Sequence, residues 1–132
     1  MDLNLRTETY TPAEDHRWLG SSHGVDTGET ITLDATTLLA VFPTGTIPSG
    51  VVLGKITATG KYGPYASGAS DGREVARGHL LTTNKVKATD GTNVDTPAAL
   101  FWHGRVREAF LPANHGLTSA AKTALSQIRY VG

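Results

Sequence analysis

The sequence predicts a mainly β domain with one short helix near its C-terminus. Apolar and polar residues alternate with a period of two along residues 30–36 and 100–110, as they do in half-buried strands. The middle of the chain is rich in Gly, Thr, Pro and Val, a mix typical of short strands joined by tight turns. A helical spacing replaces this alternation only after Gly116.

The length of 132 residues fits one domain, which we divide into an N-terminal arm, residues 1–28, and a β-rich body, residues 29–132. The arm opens with MDLNLRTETYTP, which alternates like a strand, yet no hairpin turn or partner strand follows it. One side of this strand carries four residues: Leu3, Leu5, Thr7 and Thr9. Trp18 and Leu19 are the bulky apolar pair of the remaining arm, so we expect them to anchor it on the body.

The body is predicted to contain five strands and a short β-like C-terminal end. The five segments are residues 30–42, 51–59, 74–82, 85–88 and 100–110, and the end is residues 128–131. Residues 61–72, punctuated by Gly and Pro, are predicted as a long loop. The strongest strand is LFWHGRVREAF, whose apolar face is predicted to hold Leu100, Trp102, Val106 and Phe110. Its Gly104 predicts a bulge or a close backbone approach.

Residues 118–127 are predicted as the helix, capped by Thr118 or Ser119. Its apolar positions follow helical spacing: Leu117, Ala121, Ala124, Leu125 and Ile128. Because this face is alanine-rich and narrow, it suits close packing against a sheet or against a symmetry mate.

Composition and charge argue against several classes of function. Twelve basic residues balance twelve acidic ones with no basic stripe, which argues against nucleic acid or an anionic membrane as the main partner. No apolar run approaches the length of a membrane span, and the N-terminus does not read as a secretory signal. The absence of cysteine suits a cytosolic origin.

The sequence contains no convincing catalytic constellation, so we predict that the protein is not an enzyme and needs no cofactor or metal. The histidines show no metal-ligand spacing, and four of them adjoin glycine: His23, His79, His103 and His115. We interpret them, with His16, as polar turn or half-exposed strand residues; a pH switch, metal ligation and general-base chemistry are the alternatives. No nucleophile elbow, paired carboxylates or phosphate loop is present.

Several segments together resemble the bacteriophage head decoration protein family. The segments are AFLP (109–112), ANHG (113–116), LTSAAKTAL (117–125), IRYVG (128–132), TETYTP (7–12), LDATT (33–37) and GREVARGHLL (72–81). The resemblance implies a β-rich subunit that forms trimers on the outside of the expanded capsid, at local threefold positions. There the trimers clamp the major capsid protein against the pressure of packaged DNA. It also implies synthesis in the bacterial host cytoplasm, and an arm that is loose in solution and ordered on the shell.

This resemblance leads to two hypotheses about contacts. The arm, through Leu3, Leu5, Thr7, Thr9 and Tyr10, would add a strand to a sheet edge of the major capsid protein. The helix face described above, from Leu117 to Ile128, would form the contact between subunits of the trimer.

Two other classes remain open on the sequence. A β-sandwich carbohydrate-binding module would use Tyr62, Tyr65 and Trp18 as a stacking platform for sugar rings. A phage tail or baseplate adaptor would share the same β composition and differ in its assembly partner.

Overall fold

The computed structural model describes residues 16–20 and 28–131, and its centre is a closed barrel of five strands. The strand order around the barrel is β1-β4-β3-β5-β7. These strands are β1 Glu29–Leu33, β3 Val52–Lys55, β4 Tyr62–Pro64, β5 Ala76–Leu80 and β7 Thr96–Phe101. The other elements are α1 Ala35–Val41, β2 Thr46–Ile47, β6 Asn84–Lys85, β8 Gly104–Arg107, a 3₁₀ turn Glu108–Phe110, α2 Ser119–Ala124 and β9 Ile128–Val131.

The first and last barrel strands close the ring. β1 pairs antiparallel with β7 from Glu29↔Leu100 to Leu33↔Thr96, and it meets β4 in a short parallel contact at Leu33↔Tyr62. β3 pairs antiparallel with both β4 and β5, and β5 pairs antiparallel with β7. Every barrel strand therefore has two neighbours.

The barrel interior is an apolar core closed at one end by α1. Leu33, Leu53, Leu80 and Leu100 point inward from four strands, and Leu38 of α1 packs on them, fully buried. Side chains on alternate positions of a strand face opposite sides of the sheet, so the neighbours of these leucines face outward.

A second core covers the outside of one barrel wall. Val52 of β3, His79 of β5 and Phe101 of β7 face outward at paired register positions, and all three are buried. They are covered by Trp18, by Val106 of β8, and by residues of α2 and β9. The wall formed by β3, β5 and β7 is thus buried on both faces.

A small two-stranded sheet, formed by β8 and β9, covers this second core. β8 and β9 pair in parallel from Gly104↔Ile128 to Arg107↔Val131. On the other side of β8, Leu19 forms an antiparallel bridge with Val106. The described segment 16–20 therefore lies beside β8, joined to it by a single bridge and by two backbone hydrogen bonds, Gly20 N–H to the Arg105 carbonyl and Arg107 N–H to the Trp18 carbonyl.

The predicted strand over residues 30–42 is wrong beyond Leu33. Asp34 ends β1 and caps α1: its Oδ2 accepts from the backbone N–H of Thr37 at 3.0 Å and from the Thr37 hydroxyl at 2.7 Å. Asp95 adds a further cap, because its Oδ1 accepts from the N–H of Ala35 at 2.9 Å. Capping by these two carboxylates begins a helix where the alternation alone predicted a strand.

Two further predictions need correction. The predicted loop at 61–72 contains β4, whose Gly63 lies so close to Thr37 and Arg73 that no larger side chain fits. The predicted strand at 100–110 breaks into β7, β8 and the 3₁₀ turn. Phe101 rather than Trp102 is buried, since Trp102 is 38% exposed.

Of the predicted strand at 85–88 only Lys85 lies in a strand, β6, and the predicted strand at 51–59 ends at Lys55. Other predictions of the fold are confirmed. The protein is mainly β, β5 lies within the predicted segment 74–82, β9 forms the C-terminal end, and a short helix lies near the C-terminus. That helix, α2, is shorter than the predicted 118–127; Thr118 is its N-cap, accepting from the N–H of Ala121 at 3.2 Å.

Candidate functional site

The candidate site is the place where the N-terminal segment joins the body, and Trp18 is its centre. Trp18 is fully buried against the body, and Leu19 is half-buried against the same core, as the prediction for this apolar pair requires. Its ring stacks on His79 at 5.5 Å between centroids and meets the edge of Phe101 at 5.4 Å. Aromatic pairs in these two arrangements are favourable beyond the area that they bury. The anchor therefore rests directly on β5 and β7 of the barrel wall.

Hydrogen bonds hold the polar atoms of this junction. The Trp18 indole N–H donates to Ser49 Oγ at 2.9 Å, and Ser49 Oγ donates to the carbonyl of Leu81 at 2.7 Å. His16 Nε2 lies 2.9 Å from the same carbonyl and donates to it. The backbone contributes as well, because Arg107 N–H donates to the Trp18 carbonyl at 2.6 Å. Ser49 and Trp18 are both buried, so the Ser49 hydroxyl and the Trp18 indole N–H need these partners.

His79 supports the tryptophan from inside the fold. Its Nδ1 lies 2.7 Å from the carbonyl of Gly50, which can only accept, so Nδ1 carries the proton. Its Nε2 lies 2.7 Å from the Tyr130 hydroxyl and accepts from it in the neutral ring. Burial lowers the pKa of His79 to about 4, and burial likewise raises the pKa of Tyr130. Neutral His79 thus connects β5 to β9 beneath Trp18.

Gly50 is the residue that lets these groups meet. It has φ of +106°, a conformation that side chains of L-residues rarely adopt. A Cβ at this position would lie 2.7 Å from Pro112 and 3.3 Å from Trp18. The positive φ and the close neighbouring atoms therefore both require glycine at position 50.

The histidines separate into different environments. The interpretation of His79 as a turn or half-exposed residue is wrong, since it is fully buried. His115 is half-buried; its Nδ1 accepts from the N–H of Leu117 at 2.8 Å, and burial lowers its pKa. His103 is half-buried beside the ring of Trp102, and His16 is exposed apart from its bond to Leu81. His23 lies outside the described residues.

The predicted capsid-binding residues cannot be placed in this site. Leu3, Leu5, Thr7, Thr9 and Tyr10 all lie outside the described residues. Their role in the arm stays a prediction.

The residues of the predicted contact face of the helix lie in two different environments. Ala121, Leu125 and Ile128 are buried in the second core of the same subunit, where they hold α2 against the barrel wall. Leu117 is half-buried against that core, and Ala124 is exposed. Ala124 lies at an open depression of about 180 Å³ that it shares with Trp102 and Arg77.

The proposed sugar-stacking platform is excluded by burial. Trp18, Tyr62 and Tyr65 are 0%, 6% and 8% exposed, so none of the three presents a ring face to solvent. Tyr62 belongs to the barrel core, and Tyr65 belongs to the second core. The interpretation of these residues as a carbohydrate platform is wrong.

The described residues contain neither a metal-binding cluster nor a membrane-spanning helix. No group of three or more His, Asp or Glu side chains in the described part of the chain is arranged to hold a metal ion. Across residues 16–20 and 28–131, no helix combines the length and apolarity of a membrane span.

The fold and the junction together define a small closed β-barrel whose N-terminal segment is anchored by a buried tryptophan. A protein-family model described as "Bacteriophage lambda head decoration protein D" matches residues 14–129 of this chain. The match covers most of the sequence, so the chain belongs to this family of phage head decoration proteins. The resemblance stated from the sequence is thereby confirmed. A comparison with curated proteins found no significant match.

The first prediction concerns the anchor. Replacing Trp18 with alanine should lower the free energy of unfolding by about 3–5 kcal/mol, because it opens a cavity under the second core. Urea unfolding followed by circular dichroism measures the loss. The matched control is Trp102→Ala, whose ring is 38% exposed and which should cost much less. Equal losses for the two variants would contradict the assignment of Trp18 as the anchor.

The second prediction concerns the loss of stability at acidic pH. The pKa of His79 is about 4 in the folded protein, below its ordinary value of 6.5, so the unfolded chain takes up the proton first. The contribution of neutral His79 to the free energy of unfolding is therefore fully present above about pH 6.5. The free energy of unfolding falls by about 3 kcal/mol as the pH drops toward 4. Carboxyl groups whose pKa is lowered, such as that of Asp95, change the stability only at pH values below this range.

Urea unfolding of the wild type and of His79→Gln between pH 7 and pH 4 tests this assignment. The variant should be less stable at pH 7 and should lose less stability on acidification. His115→Gln is the control, because burial also lowers the pKa of this half-buried histidine. An unchanged pH dependence in His79→Gln would exclude His79 as the acid-sensitive group.

Proposed function

We propose that this protein is a capsid decoration protein that binds the outside of the expanded phage head and stabilises it against the pressure of packaged DNA. It acts as trimers at local threefold positions between capsid subunits. The family match over residues 14–129 is the observation that carries this proposal. The match also favours a head protein over a tail or baseplate adaptor. The protein would be made in the bacterial host cytoplasm, without a cofactor and without nucleic acid or membrane as a partner.

The closed barrel supports strand addition by the arm to another protein. Each of the five barrel strands pairs with two others, and the contact between β1 and β4 is the single pair Leu33↔Tyr62. Most strand edges of the ring are therefore already paired and closed to the alternating stretch at residues 3–9. The segment beside Leu19 already occupies one side of β8, and β9 occupies the other. We therefore propose that Leu3, Leu5, Thr7, Thr9 and Tyr10 bind a strand edge of the major capsid protein.

The strength of such a contact depends on the trimer. Ordering an extended arm costs on the order of 1–2 kcal/mol per residue of backbone entropy, so one arm binds weakly. Three arms on one rigid trimer raise the effective concentration and increase avidity by roughly 10²- to 10⁴-fold.

The Trp18 junction suits a protein that bears load. A force on the arm reaches the body at residues 16–20, where Trp18 contacts His79 on β5 and Phe101 on β7. Both strands belong to the wall that is buried on two faces. The pull is therefore delivered to buried strands of the barrel rather than to a surface loop.

For the trimer contact we propose the exposed side of α2. Ala121, Leu125 and Ile128 hold the helix on its own body, which leaves Ala124 and the partly covered Leu117 to face a neighbouring subunit. The small side chain of Ala124 permits a close approach, and Trp102 lies across the adjoining depression. This assignment narrows the sequence-based hypothesis to the residues that one subunit leaves accessible.

The third prediction tests the arm. Deleting residues 2–10 should abolish attachment to expanded heads that lack the protein, while the circular dichroism spectrum and the oligomeric state stay unchanged. Co-sedimentation of the protein with the heads measures attachment. In a matched comparison, one variant has serine in place of both Leu3 and Leu5. A second variant has serine in place of both Asn4 and Arg6, which lie on the opposite side of the predicted strand. The leucine pair should weaken attachment more. Undiminished attachment of the deletion variant would refute strand addition.

The fourth prediction tests the subunit contact. Ala124→Glu places a charge in the proposed contact and should convert trimers to monomers in analytical ultracentrifugation. Ala40→Glu, an exposed alanine on α1, is the control and should remain trimeric. Thermal unfolding of both variants checks that each remains folded. A trimeric Ala124→Glu variant would move the contact elsewhere on the surface.

A further inference from the structure

The end of the barrel opposite α1 carries an open depression of about 280 Å³. We call it the barrel mouth, and it is lined by Glu29, Tyr62, Arg77, Leu100 and Trp102. Glu29 begins β1, and α1 follows the other end of that strand, which places the mouth at the far end of the barrel from α1. Leu100 belongs to the barrel core and gives the mouth an apolar floor.

Two charged side chains reach the mouth for different structural reasons. Glu29 shares the inward face of β1 with Ile31, because alternate residues of a strand point to the same side. Arg77 is the extra residue of a β-bulge on β5, at the place where the register between β3 and β5 shifts. Among residues 16–20 and 28–131, neither Glu29 nor Arg77 takes part in an ion pair. Their opposite charges leave the mouth without a net charge.

The hydroxyl of Tyr62 completes the polar lining. Tyr62 is 6% exposed, and no group in the described part of the chain forms a hydrogen bond with its hydroxyl. Burial raises the pKa of Tyr62, Glu29 raises it further and Arg77 lowers it, so the hydroxyl lies close enough to feel both charges. Because buried polar groups normally have a partner, we expect the partner of this hydroxyl to enter from the mouth.

A second depression, of about 180 Å³, adjoins the barrel mouth. Arg77 and Trp102 line both depressions, and Ala124 of α2 lies in the second one. Just after α2, Ser126 and Gln127 line the second depression as well, and both are exposed. The end of α2 and the mouth are therefore neighbouring surfaces, with Arg77 and Trp102 between them.

A threefold contact requires two different surfaces on each subunit. In a ring of three identical subunits every contact is heterologous, so a surface of one subunit meets a different surface of the next. The exposed side of α2, proposed above as the trimer contact, supplies one of the two. In a compact trimer the two surfaces adjoin each other near the symmetry axis. The barrel mouth meets this condition, because it adjoins the depression at Ala124.

The side chains at the end of α2 match the mouth in their polarity. The amide of Gln127 can accept a hydrogen bond from Arg77 and donate one to Glu29. A neutral amide also suits a mouth whose two charges cancel. The hydroxyl of Ser126 likewise both donates and accepts. Trp102, which is 38% exposed, adds an aromatic surface of the kind that is enriched in interfaces.

We propose that the barrel mouth is the second half of the subunit contact and receives residues 124–127, at the end of α2, from a neighbouring copy of this chain. This inference rests on the proposed function, which places the exposed side of α2 in the trimer contact, and it names the surface that α2 meets. The neighbouring copy supplies the hydrogen-bonding groups that Glu29, Arg77 and the Tyr62 hydroxyl do not find in their own subunit.

The first experiment cross-links neighbouring subunits at chosen positions, since the chain contains no cysteine of its own. A chain with Glu29→Cys is co-expressed with an affinity-tagged chain with Ser126→Cys, so that mixed trimers form. A short bismaleimide then joins cysteines that lie close together. In the control, the first chain carries Lys87→Cys instead, at an exposed position near the C-terminal end of α1.

On a denaturing gel, the Glu29→Cys mixture should give a cross-linked dimer of one tagged and one untagged chain, and the control mixture should not. If the wild type sediments as trimers but the two mixtures give equal amounts of mixed dimer, the inference is wrong and the proposed function stands. If the mixed dimer forms as expected but the wild type does not bind expanded heads, the proposed function fails alone. A wild type that is monomeric and binds heads would overturn the inference together with the trimer.

The second experiment determines what covers the mouth. The Glu29→Cys variant is labelled with a fluorescent maleimide as a trimer and, with Ala124→Glu added, as a monomer. The trimer should react at least about tenfold more slowly, because the core of an interface excludes solvent. Equally slow labelling of both would show that another part of the same chain covers the mouth. Labelling that slows only when expanded heads are added would show that a capsid protein covers it. Either result would overturn the inference.

Discussion

The structure depends on one barrel wall that is buried on both faces. Leu53, Leu80 and Leu100 fill the barrel interior from β3, β5 and β7, and the alternate residues of the same strands face outward into a second core. Because a strand presents successive side chains to opposite faces, neighbouring residues enter different cores, as Leu53 and Val52 do on β3 and Leu100 and Phe101 do on β7. The small sheet and α2 exist in this fold to cover the outer side of that wall.

Trp18 ties the N-terminal segment into this arrangement. It supplies a large part of the cover over His79 and Phe101, and its indole N–H is satisfied by Ser49. The segment is therefore a component of the second core rather than an appendage. For a protein proposed to clamp a phage head, this means that residues 16–20 and the barrel wall share one packed unit, and that loss of Trp18 weakens it.

Much of this could be predicted from sequence, because the relevant signals are local. The alternation along residues 30–36 predicted a strand where β1 lies, and the helical spacing after Gly116 predicted α2. Trp18 stood out as a bulky residue of a polar segment. The family resemblance also followed from the order of short segments along the chain, and the family match confirmed it. In the wall that is buried on both faces, alternation of apolar and polar residues does not tell which residues are buried. The prediction that Trp102 lies on the buried face was therefore wrong: Phe101 is buried, and Trp102 is at the surface.

The sequence by itself determined the β-rich class, the anchoring residue and the family, since periodicity, composition and segment order are properties of the chain. Only the tertiary structure decided that the ring closes between β1 and β7, that His79 is a buried neutral partner of Gly50 and Tyr130, and that Arg105 lies beside Arg129. Each of these depends on contacts between residues far apart in the chain. No local pattern specifies such pairings, because they arise from burying both faces of one wall at once.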